Sequence, residues 1–236
     1  MTAAPAIDRR SLMAMDPTLL LSGLLLVAIG LIAISSASIE YGDWHFQNAW
    51  HHTQRHLVYI VIALTAAAVV YHVPPAFWLD TGWVWLFLAL ALLILVLVPG
   101  IGKDVNGSQR WLPLGPFTLQ PSEFAKLALV IYLAGYLVRQ EHEVRNEWQG
   151  FIKPMAVLGS VALLLMVEPD FGATVIAVGT AFGMLFLAGV KLRHFLLVLA
   201  VSLLGMLGLI FSAPYRVARL TAYTDPWADP FGSGFQ

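Results

Sequence analysis

The sequence predicts an all-α polytopic membrane protein with about seven transmembrane helices present, and three observations carry that reading. Of 236 residues, 59% are hydrophobic and only 11% charged, with a mean hydropathy of +0.77; soluble domains carry about 25% charged residues. Uncharged apolar runs recur at the length a helix needs to cross a hydrocarbon layer of about 30 Å, roughly 20 residues. None of these runs shows the strict alternation of a membrane β-barrel strand. The charge balance, 13 Lys+Arg against 14 Asp+Glu, excludes a general nucleic-acid binder, because neutralising phosphates takes a positive excess. The absence of cysteine removes disulfides, thiolate metal sites and Cys nucleophiles.

Residues 1–16 read as a cytoplasmic N-terminal segment. Arg9 and Arg10 precede the first apolar run, as in a signal peptide, but no small-residue cleavage site follows, so the run is expected to be retained as a span. It covers 17–37, with Asp16 as the expected N-cap and Pro17 in the first turn, where a missing N–H costs nothing. The second run, 57–73, stops at Pro74 and Pro75. The third, 81–98, opens with Trp83 and Trp85 at the membrane interface and ends in Pro99-Gly100. The others cover 121–138, 154–167, 172–190 and 195–211, which makes 17–211 the transmembrane domain and 212–236 the start of a large outer loop.

Three long connections stand out, and long connections tend to carry function. They are the aromatic stretch from Ala37 to Arg55, the Gly- and Pro-rich stretch from Pro99 to Pro121, and the polar tail after Pro214. With a cytoplasmic N-terminus all three fall on the outer side. The inner side then holds Arg9, Arg10, Arg139, Arg145, Lys153, Lys191 and Arg193, and the outer side holds Arg55, Lys103, Arg110, Arg216 and Arg219. This positive-inside bias is shallow. Basic residues kept outside against it point to an anionic ligand, with solvated loop charges or lipid-phosphate contacts as the plain alternative.

Glu123 and Lys126 are three residues apart at the head of the fourth run, on one helix face and within reach of each other. Charges at membrane depth face a protein interior or a wet cavity, so the pair reads either as a structural ion pair or as the wall of an outward cavity. Glu168-Pro169-Asp170 links two runs so tightly that both carboxylates must lie near the outer surface. Asp170 also suits an N-cap. Arg216 and Arg219 can share a helix face and grip phosphate or carboxylate. His45, His51, His52 and His56 lack a metal-ligand spacing and read as an interfacial loop.

Taken in order, Val105-Asn106-Gly107-Ser108-Gln109-Arg110-Trp111, Gln120-Pro121-Ser122-Glu123-Phe124-Ala125-Lys126, Glu168-Pro169-Asp170-Phe171-Gly172, Pro214-Tyr215-Arg216 with Arg219, and the Asp225-to-Gln236 tail resemble the SEDS proteins of bacterial cell-wall synthesis. The pattern is nearer the division branch than the elongation branch. The resemblance runs from Asp16 onward. It implies a peptidoglycan glycosyltransferase that polymerises lipid II during cell division, in the bacterial inner membrane at the septum. Its implied partners are a class B penicillin-binding transpeptidase and other divisome membrane proteins.

The resemblance further implies a fold of about ten spans and a catalytic Asp in a later stretch of the large outer loop. This chain is therefore expected to be the N-terminal portion of a longer protein and to be inactive alone, with its catalytic residue downstream of Gln236. Under the same reading Arg110, Lys126, Arg216 and Arg219 contact pyrophosphate or product, Trp111 packs on a sugar or lipid stem, Glu123 keeps Lys126 charged, and Glu168 and Asp170 shape the cavity mouth. No cofactor is evident, and a divalent cation at the pyrophosphate is an option by family analogy only. The alternatives are a flippase for the same lipid precursor, which suits an outward charged cavity equally well, and a non-catalytic scaffold docking through Trp44 to His52.

Overall fold

The computed structural model describes residues 16–105, 108–115, 117–211 and 217. It divides into two compact units between Pro74 and Pro75. The first unit is a helical hairpin, α1 (Pro17–Phe46) and α2 (His51–Tyr71). Asp16 caps α1 as expected, its Oδ1 accepting the Thr18 N–H at 2.8 Å. The helix continues past Ala37 to Phe46, and 30 residues at 1.5 Å each reach about 45 Å, well beyond the hydrocarbon thickness. It stops where Gln47 turns left-handed at φ 50 and returns its N–H to the Gly42 and Asp43 carbonyls. A Cβ on Gly42 would meet the Asn48 carbonyl at 2.9 Å, so only glycine lets the turn fold back this closely. Among the described residues of this unit's helices, Gly42 and Thr53 are the buried ones.

The second unit opens with α3 (Pro75–Leu97), followed by β1 (Lys103–Val105), β2 (Ser108–Leu114) and β3 (Phe117–Leu119). Helices α4 (Pro121–Arg139), α5 (Glu141–Asn146), α6 (Trp148–Val167), α7 (Phe171–Leu187) and α8 (Leu192–Phe211) complete it. Among the described residues, six helices are long and apolar enough to cross a membrane. The shorter α7 has 17 residues, confined between Pro169 and the left-handed Gly189 at φ +79.

The core is the meeting of α3, α4, α6 and α7, through Leu93, Leu129, Leu133, Val161, Leu165 and Ala181. Small residues set how closely the helices approach, as expected where lipid supplies no hydrophobic drive for association. A Cβ on Gly82 would lie 3.0 Å from the Tyr132 Cα, and one on Gly135 would lie 2.5 Å from the Leu79 carbonyl. Arg139 Nη1 donates to that same Leu79 carbonyl. By contrast, α8 buries none of its residues.

The connection between α3 and α4 forms a three-stranded antiparallel sheet in the order β1-β2-β3. Lys103 faces Trp111 and Asp104 faces Gln109, with a bulge between Lys103 and Asp104. Leu112 faces Leu119 on the other side. Gly100 at φ +87 and Gly115 at φ +65 supply the backbone reversals. At the opposite end of the unit, Arg145 pairs with Glu141 at 3.1 Å and Lys153 with Glu143 at 3.0 Å. Arg145 Nε also donates to the Ala188 carbonyl at 3.1 Å, and Lys191 Nζ to the Asn146 carbonyl at 2.5 Å. Of the basic residues assigned to the inner side, Arg145, Lys153 and Lys191 therefore share one end of this unit, and the sheet lies at the other; Arg9 and Arg10 lie outside the described residues.

Candidate functional site at the sheet end

Three segments converge at the sheet end: β2, the first turns of α4, and the link from α6 to α7 at residues 168–170. Pro121 opens α4 in its first turn, so the missing N–H costs no hydrogen bond and the chain leaves β3 directly into the helix. That entry places Ser122 on the buried face and Glu123 outward. One turn on, Lys126 Nζ meets Glu123 Oε1 at 2.8 Å. Lys126 is the more sheltered partner, with side-chain exposure of 19% against 63% for Glu123. The pair heads a cleft of about 230 Å³ between α4 and α7, walled below by apolar residues such as Leu129, Leu133, Ile176 and Ala177. A larger cavity of about 440 Å³ between α6, α7 and α8 is lined by apolar and small residues and one threonine and one serine, with no charged group.

Asp170 caps α7 through Oδ1, which accepts the Ala173 N–H at 3.1 Å. Its other oxygen accepts from Ser122 Oγ at 3.0 Å and from Gln120 Nε2 at 3.4 Å. The capping role expected for Asp170 is thus real, and the same carboxylate also locks the start of α4 to the start of α7. Gln120 and Ser122 are contributors that the sequence reading missed. The available signal was their position at the mouth of a proline-opened helix, where a polar side chain has a ready acceptor only if another segment brings one.

Arg110 stands half-buried on β2. Its Nε donates to the Glu168 carbonyl at 3.1 Å and its Nη2 to the Pro169 carbonyl. The guanidinium fork is therefore engaged with backbone and ties the sheet to the link. Glu168 has no solvent exposure, and neither carboxyl oxygen has a hydrogen-bond partner. Burial, reinforced by the negative charge of Asp170 and opposed by Arg110, pushes its pKa up from 4.5 to about 8. Trp111 is half-exposed beside Arg110.

The structure thus brings Arg110, Trp111, Glu123, Lys126, Glu168 and Asp170 to one end of one unit. Arg216 and Arg219 lie outside the described residues. Among the described residues no group of three or more His, Asp or Glu is arranged to hold a metal ion. The aromatic turn of the first unit has Phe46 stacked on His51 at 4.1 Å and Tyr41 on His45 at 4.1 Å, so these rings are spent on one another.

The family model described as cell cycle protein, FtsW/RodA/SpoVE, matches residues 17–236. A protein of Pseudomonas fluorescens named as a probable peptidoglycan glycosyltransferase FtsW is 48% identical over 222 residues, which are 94% of this chain and 54% of that protein. A protein of the same name from Hahella chejuensis is 48% identical over 224 residues, 95% of this chain and 56% of that protein. The chain thus spans about half the length of these relatives. Among solved structures, a chain of a peptidoglycan synthase complex described as coordinating polymerisation and crosslinking matches at TM-score 0.65 and 28% identity, over 88% of this chain and 62% of that one. The rod shape determining protein RodA of Thermus thermophilus matches at TM-score 0.60 and 27% identity, over 77% of this chain and 58% of that one. Five motifs in order, the matched fold and this extent of identity lead to one conclusion: the chain belongs to the FtsW/RodA/SpoVE family of cell cycle proteins, the SEDS proteins, and stands nearer the FtsW relatives than the RodA structure.

Proposed function

We propose that the protein to which this chain belongs is a peptidoglycan glycosyltransferase that polymerises lipid II at the division septum, and that this chain supplies the cationic wall of its active cavity. The observation that carries the proposal is the Glu123–Lys126 pair at the head of an apolar cleft between α4 and α7. Glycan polymerisation joins an acceptor hydroxyl to the anomeric carbon of a lipid-linked donor: a C–O bond forms, the bond to the lipid pyrophosphate breaks, and the hydroxyl proton passes to a base. A leaving pyrophosphate on a membrane lipid needs a fixed cation near the interface and an apolar channel for the lipid stem. Lys126 and the cleft below it fit those two needs. Glu123 orients Lys126 through their 2.8 Å ion pair, and Trp111 offers a flat face to a sugar or lipid stem.

The family resemblance implies a proton-accepting carboxylate downstream of Gln236, and the carboxylates at the sheet end have other engagements. Glu123 is committed to Lys126, Asp170 has both oxygens engaged, and Glu168 is buried. We assign the proton acceptor to a later stretch of the longer polypeptide, with Arg216 and Arg219 as further contacts to pyrophosphate. A divalent cation belongs to the proposal by family analogy alone; the described residues do not form a site for one, and no step here runs through a metal. The proposed topology has 1–16 in the cytoplasm, 17–211 in the inner membrane and 212–236 outside. This puts the sheet end outward, with a class B penicillin-binding protein and other divisome proteins as partners.

The test is lipid II polymerisation by the purified full-length protein with its transpeptidase partner, comparing wild type with Lys126→Ala. Polymer from the wild type and a loss of about a hundredfold in the variant, the scale of removing one preorganised charge donor, supports the reading. No polymer, but movement of the precursor across vesicles, favours a flippase instead. Unchanged polymerisation by Lys126→Ala removes the cationic-wall assignment.

A further inference from the structure

Glu168 has two features that conflict for an ionised carboxylate. It is wholly shielded from solvent, and both carboxyl oxygens lack a hydrogen-bond partner. A buried charge without partners is expensive and is normally relieved by pairing or by neutralisation. A partner is at hand, because the Arg110 guanidinium already touches the backbone of the same residue. Yet its Nε and Nη2 point to the carbonyls of Glu168 and Pro169 rather than to the carboxyl. Charge-assisted bonds to a carboxylate are roughly twice as strong as bonds to a neutral acceptor, so a guanidinium that stays on two carbonyls beside a carboxyl group marks that carboxyl as uncharged.

We infer that Glu168 is a positioning residue that works as the neutral acid. Uncharged, it leaves the Arg110 fork on the two link carbonyls, which fixes the sheet against the α6–α7 link and holds Asp170 on Ser122 and Gln120. Once ionised, it draws the guanidinium onto its own oxygens, the link carbonyls are released, and the mouth formed by the starts of α4 and α7 loses its brace.

The surroundings restrict which groups can drive this change. Among the described residues, Arg110 on β2 and Asp170 in the link are the charged neighbours, and their opposing effects are both felt at Glu168. From α4 come the neutral Gln120 and Ser122, then Glu123 and Lys126, which neutralise each other. Helix α7 carries no charged residue, α6 carries only Lys153 and α3 only Asp80, both in the halves away from the sheet end. On β1, Lys103 is exposed. The upward push on the Glu168 acid to about 8 comes first from burial, so the neutral form dominates at neutral pH and is lost just above it.

The experiment uses the full-length protein in detergent or nanodiscs and follows two readouts from about pH 6.5 to about pH 9 for wild type, Glu168→Gln, Glu168→Ala and Arg110→Lys. One is the thermal unfolding midpoint. The other is lipid II polymerisation, with each variant normalised to its own value at the acid end. A group with a pKa of about 8 is about nine-tenths ionised at about pH 9. Wild-type polymerisation should therefore fall about tenfold across the range, whereas its midpoint should fall up to about pH 8 and then level off. Glu168→Gln, a permanent neutral mimic, should remove both falls and hold a midpoint at or above the wild-type one even at the acid end, where the unfolded wild-type chain is already ionised. Glu168→Ala and Arg110→Lys should lower the midpoint throughout. A wild-type fall that persists in Glu168→Gln overturns the inference, as does a Gln variant less stable than wild type at every pH. The activity arm rests on the proposed polymerase function and the stability arm does not, so a protein that makes no polymer still decides the inference by its midpoint.

Discussion

Asp170 shows how one side chain can perform a local and a long-range task together. Oδ1 satisfies an N–H at the start of α7, and Oδ2 holds Ser122 and Gln120 at the start of α4. Losing an N-cap costs about 1 kcal/mol, and leaving a buried hydroxyl without its acceptor adds about 1–3 kcal/mol. Asp170→Ala should therefore destabilise the protein by about 2–4 kcal/mol, and Asp170→Asn by less because it retains an acceptor; denaturation in detergent checks the order. Glu168 carries a pH signature of its own. Its pKa is raised on folding to about 8, so the folded form holds a proton that the unfolded chain releases from about pH 4.5. Stability is therefore full below that value, declines as pH rises, and reaches its floor above about pH 8. A stability curve that rises between about pH 5 and about pH 8 would contradict this burial.

At the scale of elements, the glycines separate into two kinds. Gly82 and Gly135 sit where α3 and α4 approach so closely that any Cβ meets backbone. Gly159 and Gly205 face open space in the cavity beside α8. Overpacking a tight helix contact costs about 1–3 kcal/mol. Gly135→Val should thus lower the thermal midpoint markedly, whereas Gly205→Ala should leave it unchanged or raise it slightly, since alanine favours helix over glycine by about 1 kcal/mol. Measuring both in one detergent tests whether the α3–α4 crossing is the tight contact of the unit. The α3–α4 connection teaches a related lesson. Its glycines and prolines read as a loop, but the chain between them forms a three-stranded sheet. Pairing satisfies the backbone polar groups of a segment that caps the helices, and it places Arg110 opposite the α6–α7 link.

For the whole molecule, the absence of cysteine makes topology directly measurable. A single cysteine at Gly115 in the sheet turn should react with a membrane-impermeant maleimide in intact spheroplasts. One at Glu147, beside α5, should react only after permeabilisation. The reverse pattern would invert the proposed orientation and place the Lys126 cleft on the cytoplasmic side. The two ends of the second unit differ in chemistry in a way that suits this arrangement. One is a knot of Arg and Lys paired with Glu and carbonyls, and the other is a sheet with the Glu123–Lys126 pair over an apolar cleft.

Much of this architecture was legible in the residues. Runs of about 20 apolar residues leave a chain in lipid no choice but helix, because each backbone group must be satisfied within its own segment. Asp16 and Asp170 as caps, and Glu123 with Lys126 as a pair, follow from spacing along a single helix, which sequence records directly. The sequence motifs likewise sufficed for the family. What Arg110 and Glu168 do was decided only by tertiary structure. Their residue types suggested charge presented to a ligand, but the fold brings together segments 58 residues apart. It spends the guanidinium on backbone carbonyls and shuts the carboxyl away from water. A residue's type sets what it can bond to, whereas its distance from water and the partners within reach depend on segments remote in the chain, so these roles could be read only once the helices were packed.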